Sequence, residues 1–197
     1  LLLAKGSETR FDRLVADRGR VENLATDLPQ LLPSVQAAWK SLTLLLMDDC
    51  KITSERFFRG GHNSLLPFVS YFVANPTPGP AEKRRLVVAV YAALMSGVFA
   101  GAEARMGAFA RKECVKGKPF PLEKLTRLVA AHYGVSSLES LLSRHLDLAL
   151  NIAHGGITLD NNPENLQRDR IFPRSTLEKQ GSPAAKTNHY ANFHFLR

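Results

Sequence analysis

A carboxylate, a guanidinium, an amide and an imidazole cluster near the C-terminal end of the chain in an order suited to phosphodiester chemistry. Asp169-Arg170-Ile171-Phe172-Pro173-Arg174-Ser175 is followed, after a polar stretch, by Asn192-Phe193-His194-Phe195-Leu196-Arg197. A carboxylate such as Asp169 suits an octahedral Mg²⁺, which keeps much of its hydration shell and shares the rest with phosphate oxygens. Arg170 cannot serve as a base: a guanidinium with a pKa above about 12 stays protonated at any workable pH, although it can grip a phosphate. His194 alternates with Phe193 and Phe195 and is expected to face away from the apolar side, within reach of a phosphate. Arg168 and Arg174 lie in or beside the first segment and Arg197 follows the second, which makes them the remaining candidate phosphate contacts. Read blandly, the first segment is an ordinary strand end with a charged pair and a terminating proline.

The joint pattern of Asp169, Ile171, Pro173 and Ser175 with a downstream Asn192 and Leu196-Arg197 resembles the His-Asn-His (ββα-metal) nucleases. In those enzymes a strand ends in Asp-His-Ile-x-Pro-x-Ser, and a second strand brings in an Asn followed by alternating apolar residues. The resemblance implies that a histidine polarises water for in-line attack while one divalent cation, Mg or Mn, stabilises the leaving oxygen. On this chain it assigns the metal to Asp169, a catalytic slot to Asn192, and the slot of the general-base histidine to Arg170. It leaves Arg168, Arg174, His194 and Arg197 as DNA contacts. A helix with the last metal ligand is expected after Arg197, so the module reads as truncated and this chain, as written, as inactive.

A second resemblance covers the rest of the sequence. Arg10-Phe11-Asp12-Arg13-Leu14-Val15, Arg56-Phe57-Phe58, Asn63-Ser64-Leu65-Leu66-Pro67 and Leu146-Asp147-Leu148-Ala149-Leu150-Asn151 are similar to the helical region preceding the nuclease module of GmrSD-type restriction proteins. These are prokaryotic defence proteins that include sensors of phosphorothioate-modified DNA. The resemblance implies a restriction-type endonuclease acting on double-stranded DNA, and an upstream ParB-like nucleotide-hydrolysing sensor domain that nothing in this sequence resembles. A helical DNA-binding or protein-interaction domain with a vestigial nuclease motif is the alternative.

The elements that must position these residues are predicted to be helices. From Asp17 to Asp48 apolar residues recur at three- and four-residue steps. Pro29 and Pro33 predict two helices meeting near Gln30, with Ser34 as an N-cap. His62-Asn63-Ser64 opens a third, with Pro67 in its first turn, and Asn75-Pro76-Thr77-Pro78-Gly79-Pro80 reads as a linker. Leu86 to Ala102 is almost unbroken apolar or small residues and predicts a central buried helix, continuing to Arg111 with Phe99, Met106 and Phe109 on one side. Leu122 to Tyr133 predicts an amphipathic helix stopped by Gly134, and Ser136-x-x-Glu139 a capping box opening the next helix, to Leu150. Short strands are expected at Leu166–Phe172 and Phe193–Leu196. The fold class is therefore mainly α: a helical scaffold over 1–154, followed by a partial ββα-metal module over 155–197.

Composition agrees with a packed, basic protein. Among 197 residues, 26 Lys+Arg against 18 Asp+Glu give a net charge of +8, which suits a polyanionic partner. Lys83-Arg84-Arg85, Arg111-Lys112 and Lys116/Lys118 read as solvated helix ends or, for the first, a second DNA contact. Cys50 and Cys114 lack metal-site spacing and predict free thiols in a reducing cytoplasm. The Gly97-x-x-x-Gly101 stretch is short for a membrane span and reads as a buried helix. His154-Gly155-Gly156 reads as a hinge, since no Gly-x-Ser-x-Gly elbow exists. Trp39, Phe57 and Phe58 are expected in the core, His132 and His145 as packed or surface histidines, and His189 as a weaker candidate for metal or DNA.

Overall fold

The computed structural model describes residues 18–54, 57–58, 62–133, 145–154, 167–183 and 193–196. The first helix, α1 (Arg18–Leu44), runs without interruption through Pro29 and Pro33. The expected break near Gln30 and the expected N-cap at Ser34 are therefore corrected. Each proline removes one donor, that for the carbonyl of the residue four positions earlier, Ala25 and Pro29. Ala25, Pro29 and Pro33 are all exposed, so water can take the place of the lost N–H groups. One widened turn, Leu45–Asp49, then closes the helix, with the Cys50 N–H donating to the Leu45 carbonyl at 2.9 Å.

A tight turn, His62–Leu65, leads into α2 (Leu66–Ala74), where Pro67 occupies the first turn as expected. The proline-rich linker follows, and α3 (Pro80–Ser96) begins at its last residue. Leu86, Ala89, Val90, Ala93 and Leu94 are fully buried, so α3 is the central helix. It is not buried all round, for Val88 is 55% exposed. Nor does it continue to Ala102 and Arg111. Gly97 (φ 58°) and Gly101 (φ 63°) both adopt the left-handed conformation, which ends α3 and builds a turn before α4 (Glu103–Glu113). The Gly-x-x-x-Gly spacing is thus helix punctuation, not a packing motif.

Next come α5 (Leu122–Tyr133), with the predicted bounds, and α6 (Leu146–Ala153), which runs past the expected end at Leu150. Gly134, Ser136 and Glu139 lie outside the described residues. Up to residue 154 the described residues contain helices and no strand. Helix α1 packs on α2, α2 on α4, and α3 on α5. Phe120 organises this core: it stacks on Phe68 with centroids 4.9 Å apart and takes the edge of Tyr71 at 5.4 Å. Phe57 is buried as expected, but Trp39 is 38% exposed on the outer side of α1, a correction to its place in the core.

Three polar side chains lock helices to turns. Asn75 donates to the Val115 carbonyl at 3.1 Å and accepts from the Gly117 N–H at 2.7 Å, pairing with the turn as a peptide group would. Glu82 accepts from the Tyr71 hydroxyl at 3.0 Å and from the Phe120 N–H, with Arg85 3.5 Å away. Asn151, fully buried on α6, donates to the Cys50 carbonyl at 3.3 Å, the Lys51 carbonyl at 3.2 Å and the Tyr91 hydroxyl at 3.3 Å. Lys51 carries the positive φ of 54° that turns the chain there. A buried amide can hold such a turn because its two N–H groups are satisfied by the turn's own carbonyls.

Beyond the helices, β1 (Gln167–Arg170) and β2 (Phe193–Leu196) form a two-stranded antiparallel ribbon, with a short helix, α7 (Arg174–Lys179), in the connection. Strand β2 lies against α6. The division expected near residue 155 falls outside the described residues.

Candidate functional site

The ribbon is built from the two segments in which the sequence concentrates its chemistry. Its register sets Gln167 opposite Leu196, Arg168 opposite Phe195, Asp169 opposite His194, and Arg170 opposite Phe193. Opposed residues in an antiparallel pair share a face, and successive residues alternate. The register brings Asp169 and His194 together across the two strands, and Arg170 together with Phe193.

Strand pairing stops at Arg170. Ile171 and Phe172, expected to extend the strand, form a bend and stand 51% and 58% exposed. Pro173 follows with φ −55° and ψ 140° and starts α7. This helix went unforeseen, although Arg174 and Glu178 carry the one-turn spacing that marks it. The Arg174 Nε donates to Glu178 Oε1 at 2.6 Å, and that hydrogen bond raises the pKa of an already fully charged group. Arg174 remains exposed at the ribbon's end, where a charge contact with solvent-borne phosphate needs no rearrangement of the core.

The Arg170 guanidinium lies over the Phe193 ring, 5.1 Å from its centroid, and the residue is half-buried. A guanidinium suits this position because it is weakly hydrated, planar and stacks on aromatic faces. Phe193, not singled out by the sequence reading as a partner for Arg170, lies beneath its guanidinium. Its signal was the register, which sequence alone does not supply. Asn192, Arg197 and His189 lie outside the described residues.

Among the described residues no group of three or more His, Cys, Asp or Glu could hold a metal ion. That does not conflict with a Mg²⁺ site at Asp169, because Mg²⁺ is commonly held by one or two carboxylates together with substrate phosphates. The thiols are unsuited to chemistry: burial raises Cys50 to about 12, with the Asp49 charge adding to it, and burial with Glu113 nearby raises Cys114 to about 12. Both are free, as expected. No described helix is long and apolar enough to cross a membrane. Comparison of the chain with protein-family models, with curated proteins and with solved structures finds no match to any of them.

Proposed function

We propose that this chain is the C-terminal region of a prokaryotic restriction-type DNA endonuclease of the His-Asn-His class, serving anti-phage defence, in which a helical scaffold carries the nuclease ribbon. The observation that carries the reading is the ribbon itself: residues 167–170 pair with 193–196 so that Asp169 stands opposite His194 and Arg170 ends the strand. Asp169 would hold Mg or Mn. Such an ion supplies charge stabilisation at the leaving oxygen of a phosphodiester. Arg170, fixed over Phe193, binds a phosphate oxygen and takes no proton from water. Arg168, Arg174, His194 and Arg197 supply further phosphate contacts, and an upstream ParB-like domain acts as the nucleotide-hydrolysing sensor.

The test is plasmid nicking by the full-length protein with Mg²⁺ or Mn²⁺. With Arg170 in place, nicking is expected at background; Arg170→His is expected to raise it by about 10² to 10⁴, the usual contribution of a general base, and adding Asp169→Ala to remove the gain. Metal-dependent nicking that survives Asp169→Ala would overturn the assignment. A second reading, a helical DNA-binding or protein-interaction domain with a vestigial site, is favoured by the Arg170 stack on Phe193, a use of the slot that involves no proton transfer. Failure of Arg170→His to nick, with DNA binding intact, selects that reading.

A further inference from the structure

Between α4 and α5, on the helical body, runs a groove of about 520 Å³. Its floor is apolar, made by Phe109 and Leu128 with the methyl groups of Ala108 and Ala131. Its rim is basic. Arg105 and Lys112 stand on the α4 side and Lys124 and Arg127 on the α5 side, against the single carboxylate of Glu113. Glu113 is engaged by Lys124 at 2.5 Å, and Arg105 Nη1 donates to the Val98 carbonyl at 3.0 Å while lying 3.4 Å from His132 Nδ1. Lys112 and Arg127 make no ion pair among the described residues, so positive charge remains on the rim.

We propose that this groove docks an acidic amphipathic segment of a partner protein, its apolar side chain seated on Leu128 and the methyl groups of Ala108 and Ala131, above the buried Phe109, and its flanking carboxylates meeting Lys112 and Arg127. An apolar floor inside a basic rim is complementary to that chemistry and to few others, since each half of the ligand is matched by its own half of the groove. A phosphate backbone would gain nothing from the floor. Stacked bases need an open aromatic face, and Phe109 is only 4% exposed. A second copy of the chain is a poor occupant as well, because at a net charge of +8 it would bring more cations to a cationic rim. The inference does not depend on the nuclease reading and can stand or fall without it.

The experiment is titration of a short fluorescein-labelled peptide, carrying one leucine and one phenylalanine among glutamates, with the full-length protein, followed by anisotropy. Saturable binding that weakens with salt is expected, with a loss of about tenfold or more for Lys112→Glu combined with Arg127→Glu. Ala131→Phe, which fills the exposed floor without changing charge, is expected to weaken binding similarly, and thermal melts serve to show that both variants fold. A peptide with glutamine in place of glutamate, or serine in place of both apolar residues, is expected to bind poorly. Absence of saturable binding overturns the proposal, as does equal binding by the charge-reversed or groove-filled protein. Two other outcomes overturn it with a named replacement: a DNA duplex that binds through the same four cations makes the groove a nucleic-acid contact, and a dimer that these substitutions dissolve makes it an interface between copies.

Discussion

In the helical body, Asn151 gives its amide to Cys50, Lys51 and Tyr91, and Glu82 accepts from Tyr71 and Phe120. In the ribbon, Arg174 reaches Glu178 one turn along α7, Arg170 leans on the face of Phe193, and Ile171 and Phe172 are more than half exposed. The two regions use polar side chains for different ends. In the body each is consumed by a backbone group of another element, so its removal is felt as lost stability. In the ribbon and its connection Arg174 is held one turn away and stays exposed, and Arg170 is half-buried on an aromatic ring, so each rests against another side chain. Residue type does not distinguish the two uses; the partner does.

The contrast breaks most sharply at Phe120. Fully buried between Phe68 and Tyr71, it is expected to cost about 3 to 5 kcal/mol when changed to Ala, measured by denaturant unfolding of the helical signal, whereas Phe172→Ser is expected to leave the midpoint unchanged. A comparable loss at both positions would show that the ribbon shares the core. Asn151→Ala comes next. It takes one donor from the Lys51 carbonyl, while the Cys50 carbonyl keeps the Tyr91 hydroxyl, and is expected to cost about 0.5 to 1.5 kcal/mol; a change too small to measure would mean that water replaces the amide.

Alkaline pH sharpens the same comparison. Cys50 rises from 9.0 to about 12 and Tyr91 from 10.0 to about 12, both chiefly through burial. Folded values above unfolded ones mean that the unfolded chain releases these protons first. Stability is therefore fully present below about pH 9 and is lost as pH rises toward 12. Unfolding midpoints across that range should fall, and Tyr91→Phe should flatten the fall; parallel curves would place the alkaline sensitivity elsewhere. The smallest effect belongs to the ribbon. Replacing Arg168 and Arg174 together is expected to leave the unfolding midpoint where it is while reducing the log–log salt slope of duplex DNA binding by up to about two contacts. An unchanged slope would move the DNA off the ribbon.

Sequence periodicity located helices well where it was undisturbed, as in α5, whose bounds at Leu122 and Tyr133 coincide with the reading. It failed where a residue's local preference competes with its surroundings. Pro29 and Pro33 act as breakers only if the freed carbonyls lack another donor, and their exposure on α1 could not be read from spacing. Gly97 and Gly101 failed in the opposite direction: both fit a buried apolar helix by composition, and both take a conformation that ends one. Trp39 shows that a large apolar residue on a helical period need not sit on the buried side. For the candidate site, the two strands were legible, but the pairing of Asp169 with His194 and the stack of Arg170 on Phe193 were not, because register is decided by the antiparallel alignment of distant segments.

The hydrogen bonds from Asn151 to Cys50 and Lys51 join positions 101 and 100 residues apart in the chain. Contacts of such span carry a loop-closure cost that falls once the intervening helices have assembled. Helix α6, which carries Asn151, also carries β2 on its surface. Presentation of the ribbon is thus expected to come late in folding and to be lost early in unfolding. Substitution at Asn151 is then expected to speed unfolding while leaving the folding rate nearly unchanged, and to shorten the time for which any ligand meets an assembled ribbon.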